Sequence, residues 1–178
     1  MYSFTYNYNL TDDDYLEYNK YHNFANTSTL KIFFVLKVIL FALLGLMVLL
    51  NLLPGISTGI NIFVTIFFGL AIAYGYRPLI TQLLKWQITA TSKKGKLPYG
   101  KNVHLQFDAD IYTETNENIQ IKIKYGSLEK IAHGSTAIYL YIGAMQATIL
   151  PYSAFESEAQ KQELLYFLNS KRPDIKIL

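Results

Sequence analysis

Val38–Tyr76 reads VILFALLGLMVLLNLLPGISTGINIFVTIFFGLAIAYGY and holds no Asp, Glu, Lys or Arg. The hydrocarbon core of a bilayer is about 30 Å thick, and a helix rising about 1.5 Å per residue needs about 20 residues to cross it. Two segments of that length fit here. Ile32–Leu53 has Lys37 near one end, and Ile60–Ile80 has Arg77 near the other. Between them stands Pro54-Gly55-Ile56-Ser57-Thr58-Gly59, uncharged and rich in turn formers. A connection that short joins antiparallel neighbours, so the sequence predicts a two-helix transmembrane hairpin. Val38–Leu53 alone carries twelve Leu, Ile, Val or Phe residues. Each favours insertion by about 0.3–0.6 kcal/mol at a helix centre, enough together to carry a peripheral Lys37 that can snorkel. Neither stretch has a polar face, which argues against two core helices of a soluble protein. The acidic N-terminus and the late start of the first apolar run argue against a cleaved leader.

The charges are placed to match. The chain of 178 residues is 51% hydrophobic and 16% charged, with a formal net charge of +3. Soluble domains average about 25% charged residues. Residues 1–30 carry one Lys and four acids. Residues 31–97 carry six Lys, one Arg and no acid, and residues 98–178 carry eight bases and nine acids. A nucleic-acid binder spreads its bases over a folded face. Here they flank two apolar runs, so membrane lipids are the expected partner and nucleic acid is not. The turn has no base, and the positive-inside rule then puts both termini in the cytoplasm. Lys31, Lys37, Arg77, Lys85, Trp86, Lys93, Lys94 and Lys96 are the candidate lipid-contacting residues. Trp86 fits an interfacial anchor, and juxtamembrane bases gain about 1 kcal/mol each from anionic lipid. Gly69/Ala73 and Ala71/Gly75 are small-residue pairs four apart that let helices approach closely. Packing within the hairpin accounts for them, with a homo-oligomer as the alternative.

The flanks read as a small α+β domain. Tyr2, Phe4, Tyr6 and Tyr8 alternate with polar residues, the period of a strand with one aromatic face. Four alternating aromatics need a sheet to join, and the expected neighbour is the β-rich region 102–151. Thr11 reads as a helix N-cap with Asp14 at N3, and Asp12, Asp13 and Asp14 suit the positive end of that helix. Capping explains this acidic run without a metal. Six strands follow the membrane segment: Val103–Phe107, Ile111–Thr115, Asn118–Lys124, Leu128–Ala132, Thr136–Ile142 and Ala147–Leu150. Ser157 with Gln160 forms a capping box, Leu164, Leu165 and Leu168 give one apolar helical face, and Pro173 sets a limit to that helix. The expected parts are residues 1–30 (strand and short helix), 31–81 (hairpin, spans about 32–53 and 60–80), 82–101 (basic juxtamembrane linker) and 102–178. The last is expected to form an antiparallel sheet or barrel closed by a C-terminal helix, the pleckstrin-homology-like plan.

Three stretches resemble the YcxB-like family of small bacterial membrane proteins. They are Leu10-Thr11-Asp12-Asp13-Asp14-Tyr15 ahead of two spans, Tyr125-Gly126-Ser127-Leu128-Glu129-Lys130-Ile131, and Ile149-Leu150-Pro151-Tyr152-Ser153-Ala154-Phe155 before the final helix. The resemblance implies a bacterial inner-membrane protein with a cytoplasmic pleckstrin-homology-like domain. It implies no activity.

Chemistry is sparse. There is no Cys, which removes disulfides, thiolate metal sites and Cys nucleophiles. Gly55-Ile56-Ser57-Thr58-Gly59 matches G-x-S-x-G, but a nucleophile elbow needs a strand before it and a helix after it in an α/β fold. His22, His104 and His133 are isolated, and no P-loop or dinucleotide fingerprint occurs. No cofactor and no catalysis are expected. The reading is a membrane-tethered, non-enzymatic interaction module whose cytoplasmic domain binds a protein, peptide or lipid headgroup. An immunity or membrane-stress protein is the alternative, and an oligomeric channel or transport subunit a further one.

Overall fold

A computed structural model describes residues 3–25, 27–49, 58–94, 99–144 and 146–178. The chain divides into two compact units. One is Lys20–Gln87, and the other joins Met1–Asn19 to Ile88–Leu178.

The first unit is helical. Helix α1 (Asp12–Phe24) ends in it, α2 is Thr27–Leu49, and α3 is Thr58–Lys93. Among the described residues, Ile62–Lys93 is the one helical stretch long and apolar enough to cross a membrane, and Phe34–Leu46 is a shorter apolar stretch. The turn expected at Pro54–Gly59 lies outside the described residues up to residue 57, as do residues 50–53 of the first expected span. Helix α3 differs from expectation. It runs through Pro78 and past Ile80 to Lys93, so residues 82–93 of the expected linker are helical. Proline removes one backbone donor without ending this helix, and residues 79–93 hold no Gly or further Pro to stop it. Many large apolar side chains of this unit face outward: Phe34 is 68% exposed, Phe63 69% and Trp86 70%. Helices α2 and α3 approach at Gly69, where a Cβ would stand 3.3 Å from Phe41 Cε1.

The second unit is built on eight strands. They are β1 (Phe4–Asn9), β2 (Asn102–Phe107), β3 (Ile111–Thr115), β4 (Gln120–Lys124), β5 (Lys130–His133), β6 (Ala137–Tyr141), β7 (Ala147–Pro151) and β8 (Lys176–Ile177). Two four-stranded sheets result, ordered β1-β2-β3-β4 and β7-β6-β5-β8. The N-terminal strand joins the sheet as its alternation requires, although Tyr2 lies outside the described residues. β1 runs antiparallel to β2 in a register from Phe4↔Phe107 to Asn9↔Asn102. Tyr6 is thereby buried with Leu105, Phe107 and Tyr112 in one core. The expected barrel does not close. The edges β1 and β7 share no ladder; one side-chain bond spans them, from the Tyr8 hydroxyl to the Ile149 carbonyl at 2.7 Å. At the other crossing, the 3-10 turn Tyr125–Ser127 carries the chain from β4 in one sheet to β5 in the other. Leu128, fully buried, follows that turn instead of starting a strand.

Helix α4 (Glu158–Lys171) completes the core with Leu164, Leu165 and Leu168. Ser157 Oγ accepts from the Gln160 N–H at 3.2 Å, and Gln160 Oε1 accepts from the Glu156 N–H at 2.9 Å. At α1 the box is reciprocal. Thr11 Oγ1 accepts from the Asp14 N–H at 3.1 Å, and Asp14 Oδ2 accepts from the Thr11 N–H at 3.0 Å. The helix α4 ends two residues before Pro173, because the residue ahead of a proline is pushed out of helical geometry.

Candidate functional site

Of the eight residues expected at the lipid surface, seven lie among the described residues. Lys37 and Arg77 come together at Tyr76. The Lys37 ammonium donates to the Ala73 carbonyl at 3.1 Å and stands 4.0 Å from the centre of the Tyr76 ring. Arg77 Nε donates to the Tyr76 hydroxyl at 3.0 Å, and its guanidinium lies 5.8 Å from the Phe24 ring centre. Pro78 has no N–H for the carbonyl of Tyr74, the residue after Ala73, whose carbonyl Lys37 meets. Lys31, Lys85 and Trp86 are separately exposed. Lys93 is the last residue of α3, and the Lys94 N–H donates to the Thr91 carbonyl at 3.1 Å. Lys96 lies outside the described residues. Of the small residues, Gly69 is occupied by Phe41 of the same chain, while Ala71 and Gly75 line a cavity of about 500 Å3 with Leu40 and Lys37.

A second site was not foreseen. In the β unit a cavity of about 310 Å3 is walled by Tyr15 and Tyr18 of α1, Tyr99, Glu114 of β3, Asn116 and Asn118 of the β3–β4 turn, and Gln146 beside β7. The aromatic wall is continuous, with Tyr15 5.0 Å from Tyr99 and 6.1 Å from Tyr18, centre to centre. The Tyr99 hydroxyl donates to Asp12 Oδ1. Burial, then that hydrogen bond and the Asp12 charge, raise the Tyr99 phenol. Burial likewise pushes the Tyr18 phenol up to about 12.

Glu114 is the unusual member. Its cross-strand partners are Leu105 and Ile121, so a carboxyl stands in a row of apolar side chains. Thr148 Oγ1, itself buried, donates to Glu114 Oε2 at 2.6 Å and lies 3.4 Å from the Tyr112 hydroxyl. Burial raises the Glu114 carboxyl above the ordinary range, and the Thr148 bond opposes the rise. Its charge in turn helps burial raise the Tyr8 phenol. The turn beside it is rigid: Asn116 Oδ1 accepts from the Asn118 and Ile119 N–H groups at 2.9 and 3.1 Å. Gly100 is required there, because a Cβ would fall 2.4 Å from Asn116 Cβ and Cγ.

The signal for Glu114 was present in the sequence. Tyr112-Thr113-Glu114 puts the tyrosine and the carboxylate on one face, and an aromatic that large belongs in the core. The tyrosines of α1 and Tyr99 carry no such signal, because only the pairing of β1 with β2 brings α1 to residues 99–118. Elsewhere His104 Nδ1 lies 2.6 Å from Asn7 Oδ1 on the outer face of β1 and β2. Among the described residues no three His, Cys, Asp or Glu side chains gather to hold a metal ion.

The β unit is where a relationship to known proteins is found. A family model described as YcxB-like protein matches residues 107–168, from the end of β2 into α4. The match covers the second and third of the three stretches that carried the resemblance. No curated protein and no solved structure matches the chain.

Proposed function

We propose that this chain is a membrane-tethered, non-enzymatic interaction module. The carrying observation is the contrast between its two units. One leaves Phe34, Phe63, Phe67 and Trp86 outward and mostly exposed. The other has an apolar core of its own and a polar cavity walled by tyrosines, amides and Glu114. Exposed apolar area of that kind is unfavourable in water and suits lipid. In this reading α2 and α3 are two spans of a hairpin in a bacterial inner membrane, and both termini are cytoplasmic. The Lys and Arg residues flanking the two apolar runs, and their absence from Pro54–Gly59, support that orientation. Two sheets with a C-terminal helix are an open variant of the pleckstrin-homology-like plan, suited to display a binding site. The tether holds the site at the membrane surface, and Lys37 with Arg77 marks the interface through Tyr76.

The test compares the full chain with a shortened form in which Lys20–Gln87 is replaced by a short flexible linker. The full chain should stay with membranes through an alkaline wash, and the shortened form should be soluble and unfold cooperatively. Release of the full chain by the wash would overturn the reading.

A further inference from the structure

We propose that the cavity between β3, β7 and α1 binds a small organic ammonium ion, primary or methylated. This deepens the reading above by naming a ligand chemistry for its binding unit, and it rests on that reading.

Four observations converge. Glu114 lies between Leu105 and Ile121 in the sheet, and among the described residues no Lys or Arg pairs with it. A carboxylate in apolar surroundings is costly unless a cation or several hydrogen bonds compensate it. Thr148 supplies one such bond, to Oε2. Second, the same lining includes Tyr15, Tyr18 and Tyr99, aromatic rings of the kind that attract a cation. Third, the other polar side chains among the described lining residues are the amides of Asn116, Asn118 and Gln146, which add no charge; those of Asn118 and Gln146 can accept from N–H groups. Fourth, among the described residues the lining contains no Lys, Arg or His to compete for the carboxylate or attract an anion.

The same set disfavours other ligands. An anion would meet Glu114 and, among the described lining residues, no base. A hard divalent cation takes six or more oxygens, and one carboxylate with a few neutral amides, that of Asn116 already engaged in its turn, falls short. A neutral apolar ligand would leave the carboxylate unpaired. The volume of about 310 Å3 admits a small substituted ammonium. A free amine and the headgroup of an aminolipid share this chemistry.

The experiment is calorimetric titration of the full chain, purified in a detergent without ammonium groups. Choline and ethanolamine are the probes, and the uncharged carbon isostere of choline is the control. Saturable binding of at least one ammonium probe is expected, with none of the isostere. Glu114→Gln should weaken binding about tenfold or more, because the amide keeps the Thr148 acceptor and loses the charge. Tyr15→Leu should weaken it several-fold. Thermal unfolding of each variant shows that it is folded. Glycerophosphoethanolamine is then titrated against ethanolamine: tighter binding of the former assigns a lipid headgroup, and tighter binding of the free amine assigns a soluble one. No saturable binding of either ammonium probe, or equal binding by folded Glu114→Gln, overturns the proposal. Membrane attachment is read separately by the alkaline wash, so failure of one claim is distinct from failure of the other.

Discussion

The Tyr8 hydroxyl donates to the Ile149 carbonyl at 2.7 Å, where two sheet edges meet without a ladder. One side chain therefore does across this seam what backbone pairing does inside each sheet. Tyr8→Phe removes the donor and leaves a buried carbonyl unpaired, which costs about 1–3 kcal/mol. Two positions earlier on the same strand, the Tyr6 hydroxyl is buried with no hydrogen-bond partner among the described residues. Tyr6→Phe keeps the ring contacts with Phe107 and Phe155 and removes only the unpaired hydroxyl. Denaturant midpoints should fall for Tyr8→Phe and hold or rise for Tyr6→Phe. The reverse order would refute the seam.

Glu114 makes stability depend on pH in a definite direction. Burial raises its folded carboxyl above the ordinary range. The folded chain therefore keeps a proton at pH values where the unfolded chain has released it. Across that window the folded state binds more protons, so stability falls as pH rises. Without ligand, Glu114→Gln should be more stable than the parent at about pH 8, with the gap closing toward about pH 4. Thermal midpoints of the two chains across this range check it. A gap that is constant, or that widens toward acid, would show that burial does not govern this carboxyl.

The N-terminal strand is structural. β1 covers the edge of β2 in a six-pair register and sends Tyr6 into the core. A fragment of residues 98–178 would expose that edge and lose an aromatic worth about 1.5–3 kcal/mol of burial. It should aggregate or unfold without cooperativity, and residues 1–10 joined through a flexible linker should restore a cooperative transition. Cooperative unfolding of the bare fragment, unchanged by the added strand, would count against this role.

Two glycines offer an internal comparison. Gly100→Ala forces a methyl to within 2.4 Å of Asn116, whereas a Cβ at Gly126 meets nothing within 4 Å. Crowding of that kind costs about 1–3 kcal/mol. Gly100→Ala should lower the unfolding midpoint and disturb the Asn116 turn. Gly126→Ala should do so much less. Equal effects would show that the close approach at Gly100 is not what the site depends on.

Much of the fold was legible because its signals are local. The aromatic alternation from Phe4 to Tyr8 places β1, the Thr11 and Ser157 boxes place α1 and α4, and the six later strands lie close to their expected positions. What was missed depends on contacts remote in sequence. Closure of a barrel turns on whether β1 reaches β7, and no local pattern records that a single Tyr8 bond stands in for a ladder. Helix α3 outran its expected end because hydropathy marks where a bilayer could stop, whereas Leu83, Leu84 and Ala90 continue the helix regardless. The cavity was invisible for the same reason as the barrel seam: Tyr15, Tyr99 and Glu114 meet only after β1 has paired with β2.

The most direct test of a tethered module with both ends on one side is cysteine accessibility, which the absence of native Cys makes clean. Single variants Ser57→Cys and Leu178→Cys are expressed in intact bacterial cells and treated with a membrane-impermeant maleimide. A tethered module with both ends inside predicts labelling of Ser57→Cys in intact cells, and of Leu178→Cys only after the cells are opened. Labelling of Leu178→Cys in intact cells would contradict it.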